Sequence, residues 1–111
     1  MSVWTDVAYD HARAQRATDL LERMAGELAA RTRARAALAD EARQGWSGAG
    51  RAGFDHRLGD LVAGGEDLAH RMRLAAVAID SDLEAAVEEQ RRRERRRAEL
   101  EIEYDQLLVP G

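Results

Sequence analysis

Three histidines, His11, His56 and His70, carry the side chains best suited to acid–base or metal chemistry near neutral pH. None of them has the spacing of a helical zinc motif such as H-E-x-x-H. His56 with Asp60, and Glu66 with His70, are four-residue pairs of the kind that form surface hydrogen bonds on a helix. The histidines therefore predict polar surface contacts rather than a metal site.

The other groups with catalytic potential also lack a suitable arrangement. Asp80, Glu84 and Glu88 line one face of a predicted helix, and such a carboxylate row on a charged helix is usually solvated. The serines have no triad pattern, and no glycine-rich phosphate loop follows a strand. With no cysteine, thiolate metal sites are excluded. We expect no enzymatic activity, no cofactor, no metal and no small-molecule substrate.

Binding to a partner protein is the alternative to catalysis, and Trp46 is the residue that suggests it. Trp46 lies within residues 44–50, where three glycines and one serine give the highest density of turn-forming residues in the chain. A turn offers little surface to bury an indole ring. The ring therefore either closes the end of a helical bundle or is displayed to a partner as an aromatic anchor.

Residues 91–97 form a basic run with a net charge of +5 between two acidic regions. Glu-then-Arg pairs at four-residue spacing, such as Glu88 with Arg92 and Glu89 with Arg93, favour a solvated helix. A surface for an acidic partner or for membrane headgroups is the alternative. The lack of interleaved aromatic residues and the net charge of -4 argue against nucleic-acid binding. The arginines of this basic patch are Arg91, Arg92, Arg93, Arg95, Arg96 and Arg97.

A short apolar patch follows the basic run, and within it Tyr104, Leu107 and Leu108 share one helical face. This tail either docks back onto the bundle or serves as a helical peptide ligand for an ATPase or a chaperone. The sequence is compatible with both interpretations of the tail.

The composition predicts an all-α fold in a single domain. The chain has 111 residues, its one proline is Pro110, and Ala, Arg, Glu and Leu dominate. We expect a hairpin over residues 1–90, with a first helix at about 5–43, a turn at 44–50 and a second helix at about 51–90. Residues 91–111 then form an Arg-rich helical extension and a tail. Ser2 or Thr5 would cap the first helix, Gly45 would close it in the left-handed conformation, and Ser47 would cap the second.

Apolar residues recur at three- and four-residue steps along both predicted helices, which is the pattern of a coiled-coil seam. Two helices joined by a short turn pack antiparallel and leave flanking apolar positions exposed to water. Because bulky side chains are few, we expect a second hairpin to complete the core as a four-helix bundle. Gly59, Gly64 and Gly65 suggest close helix approach or a kink. The seam residues are Leu21, Met24, Leu28, Leu38, Phe54, Leu58, Leu61, Leu68, Met72 and Ile79.

Targeting signals are absent from the sequence. Residues 1–10 hold acids and no basic n-region, and no apolar run reaches signal-peptide length or the roughly 18 residues that span a bilayer. We expect no cleaved signal peptide and no transmembrane segment.

Trp46-Ser47-Gly48 is a W-x-G motif between two long predicted helices, and Phe54 follows the tryptophan by eight positions. Together with the chain length and the absence of cysteine, this motif makes residues 5–90 resemble the WXG family of small type VII secretion proteins, the early-secreted-antigen-like group. The resemblance implies a hairpin that pairs with a second WXG protein and is exported as a folded dimer by a membrane-bound secretion ATPase. It assigns Trp46 and Gly48 to the turn half of a two-part export signal.

The other half of that signal, Y-x-x-x-D/E near the end of the second helix, is incomplete. Ala85-x-x-x-Glu89 keeps the acid and lacks the tyrosine, and neither Tyr9 nor Tyr104 has an acid four residues later. The resemblance therefore implies a heterodimer whose partner supplies Y-x-x-x-D/E, with a homodimer left open. It places the protein outside the cell by the type VII route, from a cytoplasmic pool.

Two alternatives remain at the level of sequence. One is a cytoplasmic helical adaptor whose Arg-rich extension docks an acidic partner or nucleic acid. The other is a WXG-like targeting partner of a toxin.

Overall fold

The computed structural model of the protein describes residues 3–108 as two helices joined by a short turn. Helix α1 spans His11–Arg43, helix α2 spans Ala49–Leu108, and no strand is found among the described residues. The helices pack side by side and antiparallel into a rod of 97 × 19 × 14 Å. The predicted all-α hairpin is thereby confirmed.

Helix α1 begins later than the sequence suggests. Asp10 is its N-cap, and the Asp10 carboxylate accepts a hydrogen bond of 2.9 Å from the Arg13 backbone N–H. The expected start at Thr5 is wrong, because the backbone around Thr5 is bound by side chains of α2 instead of by a helical turn. The other predicted cap, Ser2, lies outside the described residues.

The turn relies on two glycines with positive φ. Gly45 has φ 81° and follows the C-cap Gln44, so the predicted left-handed closure of α1 is confirmed. Gly48 has φ 117°, and its carbonyl accepts a hydrogen bond from the Arg51 backbone N–H. Because α2 begins at Ala49, Gly48 holds the capping position that was expected for Ser47.

The helix pair meets along small residues. The buried positions of α1 are Thr18, Ala25 and Thr32, at seven-residue spacing, and those of α2 that face them are Ala69 and Ala76. Small side chains at a seven-residue repeat allow the two backbones to approach closely. No large side chain is fully buried within residues 3–108. The hairpin therefore has a thin core, as the composition indicates.

Gly65 is one point of close approach. A Cβ atom there would fall inside van der Waals contact with the Thr32 side chain of α1. The packing role predicted for this glycine is confirmed. Gly59 and Gly64 would meet no atom within 4 Å, so helix approach does not explain them.

The face of α2 that contacts α1 is offset by one residue from the apolar stripe expected from the sequence. Ala69 and Ala76 lie at the centre of this contact face. Six seam residues are half-buried at the edge of the helix pair: Leu21, Leu28, Phe54, Leu58, Met72 and Ile79. Four others are exposed in the single chain: Met24, Leu38, Leu61 and Leu68.

Helix α2 continues well past the start of α1. His11 lies beside Leu83 and Val87, so the rest of α2 has no α1 partner. Residues 91–108, which hold the basic run and the described part of the tail, form an unbroken part of α2, so residue 90 is no structural boundary. Neither helix, within residues 3–108, combines the length and the apolarity needed to cross a membrane.

Candidate recognition surfaces

The Trp46 ring is partly packed and partly displayed. Its centroid lies 5.1 Å from that of Phe54 with the planes tilted by 55°, and 38% of the residue remains exposed. Such tilted pairs at about 5 Å are attractive. Trp46 therefore covers the end of the hairpin with one side of its ring and presents the other side to solvent.

Charged side chains hold the turn in place around the tryptophan. Arg51 donates a hydrogen bond of 2.8 Å from Nη1 to the Trp46 carbonyl. Arg43 at the end of α1 pairs with Asp55 of α2 at 2.9 Å, and also with Asp40. The Arg51 contact therefore holds the Trp46 backbone to α2, and the Arg43–Asp55 pair joins the end of α1 to the start of α2.

Gly48 gives the W-x-G motif a physical basis, and substitution tests it. An L-residue at φ 117° is strained, so Gly48→Ala is expected to lower the free energy of unfolding by about 1–3 kcal/mol. The matched control is Gly50→Ala, whose Cβ would lie 3.6 Å from Trp46 Cζ2 in ordinary contact and within α2. Urea unfolding followed by circular dichroism measures both. Equal stability of the two variants would contradict the strain argument.

One open side of the helix pair is apolar. Met24 and Leu28 of α1 meet Leu68 and Met72 of α2 around a shallow groove of about 190 Å³, bordered by Glu27 and Arg31. In each helix these residues lie one position before and three positions after a buried alanine, Ala25 or Ala69. Leu61, seven residues before Leu68, extends the stripe and is 72% exposed. We call this surface the apolar face.

The opposite side of the helix pair is polar around Ala25 and Ala69. The mirrored positions, three before and one after the same two alanines, are Glu22 and Gly26 on α1, and Glu66 and His70 on α2. Leu74 and Val77 are exposed apolar residues of α2 outside the apolar face. Around Ala25 and Ala69, the apolar face is therefore the side of the hairpin that carries a continuous exposed apolar surface.

Residues 3–10, which we call the N-terminal strap, lie along the part of α2 beyond α1. The Val7 backbone N–H donates to Gln90 Oε1 at 2.8 Å, and Gln90 Nε2 donates to Asp6 at 3.0 Å. Arg93 donates to the Thr5 carbonyl at 2.8 Å. These contacts replace the hydrogen bonds that a helix would have given the strap.

Arg97 completes the binding of the strap. Its Nε donates to the Val3 carbonyl at 2.5 Å, and its Nη2 lies 2.8 Å from the Asp6 carboxylate. Arg93 is only 7% exposed. Two members of the predicted basic patch, Arg93 and Arg97, therefore bind the chain's own N-terminal strap and do not belong to an outward basic surface.

Most of the other arginines of residues 91–97 are paired within α2. Arg92 pairs with Glu89 at 2.8 Å, Arg95 with Glu88 at 3.6 Å, and Arg96 with Glu99 at 3.0 Å. Glu89 also pairs with Arg93 at 3.2 Å, as the four-residue spacing predicts. Arg91 borders a cleft beside His11. These contacts favour the solvated-helix interpretation of the run.

Strap docking is expected to depend on pH through Asp6. The hydrogen bond from Gln90 and the charge of Arg97 hold the pKa of the Asp6 carboxyl below its ordinary value of 3.8. Because the lowered value belongs to the docked state, this stabilisation is fully present above pH 3.8 and is lost as pH falls through the lowered pKa. The Val7 amide resonance in nitrogen–proton correlation spectra should report release over that range. An Asp6→Asn variant should show no such titration, and its persistence would contradict the assignment.

The tail residues singled out from the sequence are exposed on α2. Tyr104 and Leu107 are 62% and 84% exposed, and Leu108 is similar. The tail does not dock back onto the bundle within the described residues, and the three side chains share a helical face as predicted. Tyr104 also lines a cleft with Trp4 of the strap.

The histidines and carboxylates with catalytic potential do not come together in one site among the described residues. His56 lies 3.5 Å from Asp60 on the surface, and Asp80 accepts a hydrogen bond of 3.3 Å from Thr18. In the part of the chain that the structure describes, no group of three or more histidines and carboxylates is placed to hold a metal ion.

Comparison of the chain with protein-family models, with curated proteins and with solved structures finds no match.

Proposed function

We propose that this protein is a small, non-enzymatic component of a type VII secretion system that pairs with a second W-x-G hairpin into a four-helix bundle for export. The observation that carries the proposal is the turn. Trp46 is anchored on Phe54 with part of its ring exposed, and Gly48 has a φ of 117° that disfavours any other residue. A W-x-G motif resembling that of the WXG family thus caps a two-helix hairpin.

The proposal of a partner is supported by the small size of the residues in the core. The buried residues of the described chain are alanines, threonines and one arginine, while leucines and methionines remain on the apolar face. Burying a leucine contributes about 1.5–3 kcal/mol, so a second hairpin that covers the apolar face would stabilise the single hairpin. One partner on one face gives four helices.

The choice of a heterodimer rests on Glu89. This residue matches the acid of Y-x-x-x-D/E, but Ala85 stands where the tyrosine is required. The Glu89 carboxylate is also occupied, because it pairs with Arg92 and Arg93. A partner hairpin with its own Y-x-x-x-D/E supplies the second half of the export signal, and the dimer presents both halves to the secretion ATPase.

The rival function, a cytoplasmic adaptor that docks through its arginines, has less support. Arg93 and Arg97 bind the strap, and their neighbours Arg92, Arg95 and Arg96 pair with glutamates of the same helix. An acidic partner would have to break these ion pairs before it gained new ones.

The test is co-expression with the product of a neighbouring short reading frame that carries W-x-G and Y-x-x-x-D/E. Light scattering should give the mass of a 1:1 complex, and the complex should appear in the culture medium of a host with the secretion system. Trp46→Ala is expected to keep the complex and to reduce export at least about tenfold, because the turn half of the signal is lost. Trp4→Ala is the matched control at the other end of the molecule.

Two results would refute the proposal. One is efficient export of this chain in a host that lacks the partner gene. The other is a lone chain that remains a cooperatively melting monomer and does not bind the partner product.

A further inference from the structure

At the far end of α2 from the turn, the strap and the helix together form a cleft. It has a volume of about 560 Å³ and is lined by Trp4 of the strap and by Leu100, Glu101, Tyr104 and Asp105 of α2. With about 1.5 Å of rise per residue, the cleft lies roughly 75 Å along α2 from Trp46. It is therefore separate from the turn and independent of the export proposal.

The cleft combines aromatic rings with negative charge. Trp4 and Tyr104 are 56% and 62% exposed. Glu101 and Asp105 are four residues apart on one side of the helix, and neither forms an ion pair within residues 3–108. The neighbouring acids Glu99 and Glu103, in contrast, both pair with Arg96. These acids of the tail are thus divided into a pair that shares one arginine and a pair that lines the cleft.

We propose that this cleft binds an arginine side chain of a partner peptide. A guanidinium group stacks on indole and phenol rings and is attracted by their π faces. It also forms paired hydrogen bonds with a carboxylate, which Glu101 and Asp105 provide. Leu100 supplies an apolar surface for the methylene groups of the arginine stem. An anionic ligand would be repelled, and a purely apolar one would desolvate two carboxylates without compensation.

Binding in this cleft is coupled to the strap. Trp4 forms one wall, and the strap that carries it is bound to α2 by Arg97 through the Val3 carbonyl and the Asp6 carboxylate. A ligand that contacts both walls binds only the docked strap and so favours docking by linkage. Arg97 is then a positioning residue for the site, since it does not line the cleft.

The experiment uses the full chain with Trp46→Phe, which leaves Trp4 as the remaining tryptophan and its fluorescence as the signal. The probe is a short peptide with blocked ends and a single arginine, compared with the same peptide containing citrulline, which keeps the shape and lacks the charge. We expect a saturable change with the arginine peptide, weakened by salt, and at least tenfold weaker binding of the citrulline peptide. The Val7 amide resonance should move toward the docked state as the peptide binds.

Two matched double variants distinguish binding at the cleft from a general effect of negative charge. Glu101→Gln with Asp105→Asn should weaken binding at least tenfold, whereas Glu99→Gln with Glu103→Gln removes the same charge and should keep the affinity within about twofold. Arg97→Gln should weaken binding by loosening the strap. The proposal is overturned if the arginine peptide gives no saturable signal, if the citrulline peptide binds equally well, or if the two double variants behave alike while circular dichroism shows both to be folded.

Discussion

An alanine at Gly65 is expected to destabilise the hairpin, whereas an alanine at the adjacent Gly64 is expected to stabilise it. Both glycines lie in the interior of α2, where glycine costs about 1 kcal/mol relative to alanine. At Gly64 a Cβ meets no atom within 4 Å, so the alanine should stabilise the helix by that amount. At Gly65 the new methyl group overlaps the Thr32 side chain, which is branched at Cβ and held by a hydrogen bond of 2.8 Å to the Leu28 carbonyl.

The size of the difference follows from the packing. Overpacking a close contact costs about 1–3 kcal/mol, from which the gain in helix propensity is subtracted. We expect Gly65→Ala to lower the free energy of unfolding by about 1–2 kcal/mol and Gly64→Ala to raise it by up to about 1 kcal/mol. Urea unfolding monitored at the helical band of the circular dichroism spectrum measures both values.

Thr32→Ala provides the control for this pair. It removes the atoms nearest to the new methyl group and should restore part of the stability of Gly65→Ala, so that the two substitutions are not additive. If Gly65→Ala were as stable as Gly64→Ala, the helices would not approach closely at this point.

Leu61→Glu with Leu68→Glu is expected to abolish the proposed pairing with a second hairpin while leaving the fold of this chain intact. Both leucines lie on the apolar face and are 72% and 46% exposed in the single chain, so the hairpin itself loses only part of their packing. In the proposed bundle each glutamate would be buried without a partner charge. We expect the affinity for the partner to fall at least about 100-fold, which corresponds to about 2.7 kcal/mol.

Leu74→Glu with Val77→Glu is the matched control. These residues are also exposed and belong to the same stretch of α2, but they lie outside the apolar face. The control adds the same charge, and we expect it to leave the affinity within about threefold. Calorimetric titration and light scattering of each variant with the partner report the two outcomes. A loss of binding that is equal in both variants would mean that the apolar face is not the interface.

The local features of this fold follow from the sequence. The helical composition, the glycines of the turn and the absence of proline before Pro110 determine two helices and the break between them, because propensity and left-handed φ act within a few residues. Gly45 was predicted for this reason. The ion pairs of the basic run follow equally from four-residue Glu–Arg spacing, as with Glu89 and Arg93.

The sequence could not place the seam to better than one residue. Leu61 and Leu68 are the larger apolar side chains, and a pattern of hydrophobicity gives them the centre of the stripe. In the folded chain the smaller Ala69 and Ala76 take that centre, because they let the backbones come closest. Hydrophobicity ranks residues by the area they can bury, whereas the contact between two helices is also selected by size.

Only the tertiary structure decided the role of the strap. Thr5 and Arg93 are 88 positions apart and Val3 and Arg97 are 94 positions apart, so no helical period relates the members of either pair. The antiparallel register brings the N-terminal residues alongside the extension of α2, where guanidinium groups satisfy the strap carbonyls. Thus the sequence determined the helices, the turn and the shortage of core. The fold determined which arginines are structural and where a cleft between the two ends of the chain is formed, because those contacts depend on register and not on spacing along the chain.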